Sequence, residues 1–262
     1  MSRVSRVAAA LACATLLPAV ATAQVNFQKT GYYAALGDSV AAGEGAMPVT
    51  NGYPYVLYER GVFGQKQETD FAILAVRGGR SWDLLAHQVP QLLCAEPAQR
   101  PTIVTVTAGA NDFLRGDANV FGIAARVVEA VNTMLNNGTG RESHTVVDPV
   151  TGSPCRPLAN VTILVSNYYS IPHPEPLVFA QLDAALRGFD QVLRLLLPTL
   201  VVPAGSRVAL VDLYAPSVER EGLLLIERRF GYAGGFDFEI HPTNLGHTFI
   251  AQQFEQAYRA LQ

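Results

Sequence analysis

The sequence predicts an α/β fold, a parallel sheet covered by helices on both faces. Three observations carry this. Five short runs, Tyr32–Leu36, Phe71–Val76, Thr102–Thr107, Val161–Val165 and Arg207–Leu213, have the apolar or β-branched character of buried strands. Helical stretches alternate with them, the arrangement that builds parallel sheets. At 262 residues, 49% hydrophobic and 16% charged, the chain is large enough for one sizeable core and is read as one domain after its leader.

The leader comes first. Arg3 and Arg6 precede an apolar run, Val7 to Val20, and Ala21-Thr22-Ala23 has the small-x-small form of a cleavage site. Residues 1–23 therefore read as a secretory signal peptide, cut near Ala23, which places the mature chain in the periplasm or outside the cell. The apolar run is too short to span a membrane comfortably. A lipoprotein signal at Cys13 fits less well, because most of the apolar run would lie beyond the cut. The mature 239 residues hold 17 basic and 22 acidic side chains, a net charge of −5. That balance gives no footing for nucleic acid. No later stretch is long and apolar enough to cross a membrane. Oligomeric state is not legible.

The first strand, Tyr32–Leu36, ends at Gly37-Asp38 and is followed at once by Ser39, then by the small residues Ala41, Ala42, Gly43 and Gly45. The carboxyl edge of an open α/β sheet is where ligands bind, so a hydroxyl there is a candidate nucleophile. As an isolated motif Gly-Asp-Ser is also an ordinary turn. A short helix is expected over Tyr55–Arg60. The second strand, Phe71–Val76, stops at Arg77-Gly78-Gly79. Ser81 is a plausible N-cap for a helix running to about Leu93, with Pro90 disturbing its last turn. The third strand, Thr102–Thr107, is β-branched and ends at Gly109-Ala110-Asn111-Asp112. From Asn119 to Leu135 the apolar residues Val120, Ala124, Val127, Val128, Val131 and Leu135 mark one helix face.

Residues 136–160 form a long loop, read either as an overhang of the site or as a decorated edge. Val161–Val165 runs into Ser166-Asn167-Tyr168-Tyr169. A helix follows from about Leu177 to Leu197, then the fifth strand, Arg207–Leu213. Another helix is expected over Ser217–Arg228 and a last one from about Asn244 to Leu261. The mature chain's two cysteines, Cys94 and Cys155, each precede a strand at the amino-terminal edge, where they would meet. Export permits a disulfide between them, and two free thiols is the alternative.

Ser39, Gly78 and Asn111 each follow a strand, so all three fall on one sheet edge. His241 precedes the last helix. Acyl transfer needs this set. A serine hydroxyl attacks once a base removes its proton, and His is the usual base. Donors must meet the oxyanion that forms. The Ser39 N–H, the Gly78 N–H and the Asn111 side-chain amide are suitable. Asn donates while neutral, whereas the neighbouring Asp112 when ionised cannot. No serine has the G-x-S-x-G flanks of the α/β-hydrolase elbow.

These blocks, G-D-S-V at 37–40, A-V-R-G-G at 75–79, G-A-N-D at 109–112 and H-P-T-N-L-G-H at 241–247, resemble those of the GDSL/SGNH hydrolases, a family of serine esterases and lipases. They span nearly the whole mature chain. The resemblance implies a three-layer α/β/α flavodoxin-like fold with a five-stranded parallel sheet. It implies Ser39 as nucleophile, His241 as base, and Ser39, Gly78 and Asn111 as oxyanion donors, with no cofactor. One position departs from the family. Its last block usually carries an acid three residues before the His, and here that residue is Phe238, between Asp237 and Glu239. Asp237 is the favoured residue to orient His241, as an acid does in a triad; Glu239 or a main-chain carbonyl are the alternatives.

Other residues have plainer readings. Asp38 and Asp112 hold loops by accepting backbone N–H bonds. His247 packs or caps. No His shows zinc-site spacing, so no metal is expected. Trp82, Tyr53, Tyr55 and Tyr58 belong either to a substrate cleft or to the core. The expected function is hydrolysis of carboxylic esters, whether of small molecules, lipids or carbohydrates. An O-acetylesterase of polysaccharides or an acyltransferase would use the same site. A secreted binding protein on an inactive scaffold is the reading from another class.

Overall fold

The computed structural model describes residues 32–64, 71–95, 100–137, 145–171, 176–218, 229–230, 236–237 and 241–262. The first 31 residues lie outside this set, and with them the expected signal peptide.

Five parallel strands form the sheet: β1 (Tyr32–Gly37), β2 (Phe71–Ile73), β3 (Pro101–Thr107), β4 (Thr162–Ser166) and β5 (Arg207–Val211), in the order β2-β1-β3-β4-β5. This is the flavodoxin-like order, with its topological switch between β1 and β3. Tyr33 to Leu36 and Ile163 to Val165 are fully buried, as expected for strands covered on both faces.

Helix α1 (Tyr53–Glu59) packs with α8 (Asn244–Arg259) on one side of the sheet. On the other side lie α5 (Val120–Asn136), α6 (Pro176–Leu196) and a helix in three pieces. Those pieces are α2 (Ser81–Asp83), a π turn (Leu84–Gln88) and α3 (Val89–Leu93). Two short α-helices are α4 (Ala110–Leu114) and α7 (Tyr214–Val218). Arg229–Phe230 and Phe236–Asp237 pair antiparallel as a separate two-stranded ribbon, β6 and β7.

Several expectations are corrected. The second strand stops at Ile73 instead of Val76. Leu74 and Ala75 both direct their N–H to the Ala35 carbonyl, at 2.9 and 3.2 Å, so the regular ladder ends there. The fifth strand ends at Val211, two residues early. Arg80, not Ser81, caps the helix after the glycine block, and Asp83 accepts the Arg80 N–H at 2.8 Å. Helix α4 was not expected; it follows Gly109, whose φ of 123° turns the chain out of β3. The helix expected from Ser217 begins at Tyr214, and residues 219–228 lie outside the described set.

The long loop is settled in its described part, 145–160. The Asn137 side chain donates to the Val146 and Cys155 carbonyls at 2.8 and 2.7 Å and accepts the Val146 N–H. The segment is thus tied to the end of α5 and the start of β4, at the sheet edge opposite Ser39. Cys94 and Cys155 are paired there, with Cα atoms 5.3 Å apart. Of the tyrosines at 53, 55 and 58, Tyr53 belongs to the core and Tyr58 packs, half-buried, against it. Tyr53 stacks on Phe254, while Tyr55 and Tyr58 pack on Phe71.

No helix among the described residues is long and apolar enough to cross a membrane. Nor do those residues hold a group of three His, Cys, Asp or Glu suited to a metal ion.

Candidate active site

The site starts at Gly37, the last residue of β1. Its φ is 132°, and a Cβ there would lie 1.9 Å from the Thr107 carbonyl oxygen, so only glycine lets β1 turn beside β3. The Gln88 side-chain amide brackets this residue. Gln88 accepts the Gly37 N–H and donates to the Gly37 carbonyl, both at 2.7 Å. Asp38 then donates its N–H to the Thr107 carbonyl at 3.0 Å. The chain is held on both sides at the point where it presents Ser39.

His241 comes to Ser39 from 202 positions further along the chain, and its Nε2 lies 2.8 Å from Ser39 Oγ. The last block is locked to the loop after β1. Asn244 accepts the Met47 N–H at 2.7 Å and donates to the Met47 carbonyl at 2.8 Å. His247 accepts the Tyr53 N–H through Nδ1 at 3.1 Å, and its Nε2 meets the Glu44 carbonyl at 2.8 Å. Nε2 must then carry the proton. Burial lowers the His247 pKa to about 4, which keeps the ring in this neutral form. His247 therefore packs and positions, as its place on the last helix suggested.

The glycine block and the G-A-N-D block are joined directly. The Asn111 side chain donates to the Gly79 carbonyl at 3.0 Å, which leaves its second amide hydrogen for another acceptor. Asp112 accepts from both Ser81 groups, N–H and Oγ, each at 2.8 Å. Arg126 closes this network through Ser81, Asp112 and Asp117 at 2.8, 3.1 and 3.0 Å. The Gly79 N–H is taken by Val76, whereas the Gly78 N–H has no acceptor among the described residues. Gly78 has φ 71°.

Ser39, His241 and Asn111 line one small cleft, together with Ala110, Leu114 and Tyr169 on its apolar wall. Gly78 is not among the residues lining it, nor are Trp82 and the three tyrosines of the first helix. Asp237 is placed only as a backbone position in β7. Its side chain, Phe238 and Glu239 lie outside the described residues.

A model of the GDSL-like lipase/acylhydrolase family matches residues 35–249, the stretch that holds all four blocks. The chain belongs to this family. Among solved structures it is similar to a lipolytic G-D-S-L protein from Veillonella parvula, with TM-score 0.56 and 13% identity over 87% of this chain and 98% of that one. It is also similar to a carbohydrate esterase family 3 protein from Talaromyces cellulolyticus, with TM-score 0.54 and 16% identity over 88% and 97% of the two chains. A third is phospholipase A1 from Streptomyces albidoflavus, with TM-score 0.52 and 17% identity over 88% and 99%. At these identities the likeness shows the shared fold. No curated protein sequence matches the chain.

Sequence reasoning missed three supports of this site. Tyr168 follows β4 on the same edge as Ser39, which was a usable signal. Gln88 and Asn244 act through side-chain amides on backbone groups far away in sequence, and no local pattern announces that.

Proposed function

We propose that this GDSL-family chain is an exported serine esterase that hydrolyses carboxylic esters through an acyl-enzyme on Ser39. The observation that carries the reading is the 2.8 Å contact between Ser39 Oγ and His241 Nε2, the reach a base needs to take the hydroxyl proton. Ser39 Oγ attacks the ester carbonyl carbon while His241 takes its proton. The carbonyl π electrons move to oxygen. Collapse of the tetrahedral adduct expels the alcohol, which leaves with the proton from His241. Water then attacks the acyl-enzyme with His241 again as base, releasing the acid and restoring Ser39.

The oxyanion is assigned to the Ser39 N–H, the Gly78 N–H and the second hydrogen of the Asn111 amide. None of the three has a protein acceptor among the described residues. Asp237, four residues before His241 in sequence, is assigned as the acid that orients the imidazolium. Export follows from the reading of residues 1–23 as a signal peptide, and Cys94–Cys155 is assigned as the bridge of the exported form.

Hydrolysis of 4-nitrophenyl esters from acetyl to palmitoyl, by the mature protein and by Ser39→Ala, tests the reading. Activity in the parent and loss in the variant support it, together with a phosphonate adduct on Ser39 by mass spectrometry. Equal turnover in both would exclude Ser39 as nucleophile.

A further inference from the structure

Asp38 and Tyr168 join two of the three turns that carry the proposed oxyanion donors, although neither moves a proton in the proposed reaction. Asp38 immediately precedes Ser39 and is 1% exposed. Its Oδ1 accepts the Val40 N–H at 3.0 Å, and the Ala41 backbone also bonds to the carboxylate. The next amide, that of Ala42, goes to the Asp38 carbonyl at 3.0 Å. With these taken up, the Ser39 N–H is the amide of this turn that lacks an acceptor among the described residues.

The other carboxylate oxygen, Oδ2, accepts from the Tyr168 hydroxyl. That hydroxyl also has a backbone hydrogen bond from Ala110, the residue before Asn111. One phenol thus ties the turn after β1 to the turn after β3, across the switch point of the sheet. It does so from the segment after β4, which supplies none of the reacting groups.

We infer that Asp38 and Tyr168 are positioning residues of the oxyanion hole: the ionised carboxylate and the phenol together fix the Ser39 N–H relative to the Asn111 side chain. The inference rests on the esterase reading of Ser39. A neutral Asp38 would have to donate from one oxygen, and the bridge would lose an acceptor it needs.

The titratable groups facing Asp38 are Tyr168 after β4, Tyr53 on α1 and His241 before α8. Burial raises the Asp38 pKa to about 6, opposed by the Tyr168 bond, the Val40 and Ala41 amides and His241. The ionised form, and with it the bridge, is lost as pH falls through that value. Removing the Tyr168 bond takes away an influence that favours ionisation, so the loss should begin at higher pH.

The test is the pH dependence of kcat and kcat/KM for 4-nitrophenyl butyrate in the parent, Tyr168→Phe and Asp38→Asn, with thermal melts to confirm folding. In the parent, the acid limb of kcat/KM should include a proton taken up by Asp38 near pH 6. Tyr168→Phe should lower kcat about tenfold with KM within about twofold, since part of the oxyanion contribution is lost, and should move the acid limb to higher pH. Asp38→Asn should remove that proton from the limb. Near-normal kcat in both folded variants, or a lowered kcat with an unmoved acid limb, overturns the inference. If neither variant folds, the parent decides, because an acid limb with no proton taken up near pH 6 overturns it as well. Ser39→Ala separates the two readings: an active Ser39→Ala fells the esterase reading and this inference with it, whereas failure of the Asp38 and Tyr168 outcomes alone leaves the esterase reading intact.

Discussion

Gly45 and His241 stand so close that a methyl group on the glycine would lie 2.8 Å from His241 Cβ and 2.3 Å from the Pro242 carbonyl oxygen. The small residues after Ser39 are therefore more than flexible filler, since one of them forms the wall against which the proposed base rests. Gly45 also has φ 87°, which disfavours any side chain. Gly45→Ala is expected to push His241 off Ser39 and to lower kcat by about 10²-fold, as displacements near 1 Å do. A steady-state assay checks this, and a variant with parental kcat would mean that the loop yields without moving His241.

Asn111 has one amide hydrogen committed to the Gly79 carbonyl and one left over. Asn111→Ala should lower kcat by about 10²–10³-fold, the usual cost of a lost oxyanion donor. Asn111→Asp should fare no better, because an ionised carboxylate cannot donate and repels the oxyanion. Near-normal turnover in either variant would remove Asn111 from the hole.

His247 makes the fold sensitive to acid. Its pKa in the folded protein is about 4 because of burial, below the 6.5 of a free imidazole. Between those values the unfolded chain binds the proton and the folded one resists it. The stability this group contributes is fully present above pH 6.5 and is lost as pH falls toward 4. The loss is on the order of 3 kcal/mol at most. Melting temperature should therefore drop over this window. His247→Asn should melt lower than the parent at pH 7 and show a shallower drop. An unchanged slope would place the acid sensitivity elsewhere.

The Cys94–Cys155 pair closes a loop of sequence separation 61 at the edge away from Ser39. By loop entropy, Cys94→Ala with Cys155→Ala should destabilise the fold by about 4 kcal/mol while leaving kcat at 25 °C nearly unchanged. Denaturant unfolding and the ester assay measure the two parts. A large fall in kcat would show that the edge reaches the site.

The sequence made the sheet legible because its strands are mostly apolar or β-branched, and all five begin within one residue of their expected starts. Ser39 and His241 stood out because four blocks follow one another in order along the chain, whereas Gly-Asp-Ser alone is an ordinary turn. What escaped was set by long-range bonds. Ser81 looked like a cap by its type, yet Asp112, 31 positions away, takes both of its polar hydrogens. The end of β2 was misjudged because Leu74 to Val76 are as apolar as a strand, and only their partners on β1 show the ladder ending. Tyr168 reads as a core aromatic until its hydroxyl is seen on Asp38.

The π turn at Leu84–Gln88 has a bearing on how this protein could be engineered. Val89 directs its N–H to the Leu84 carbonyl, five residues back, which fits one more residue into the turn than a regular α-helix allows. Gln88 thereby faces Gly37 and serves as a surrogate rung where β2 has already ended. A redesign that made this helix ideal would score as an improvement by every local measure. It would also swing Gln88 by about 100° and leave the Gly37 N–H without its acceptor, one residue before Asp38 and two before the nucleophile. Here the irregular turn is the part to preserve.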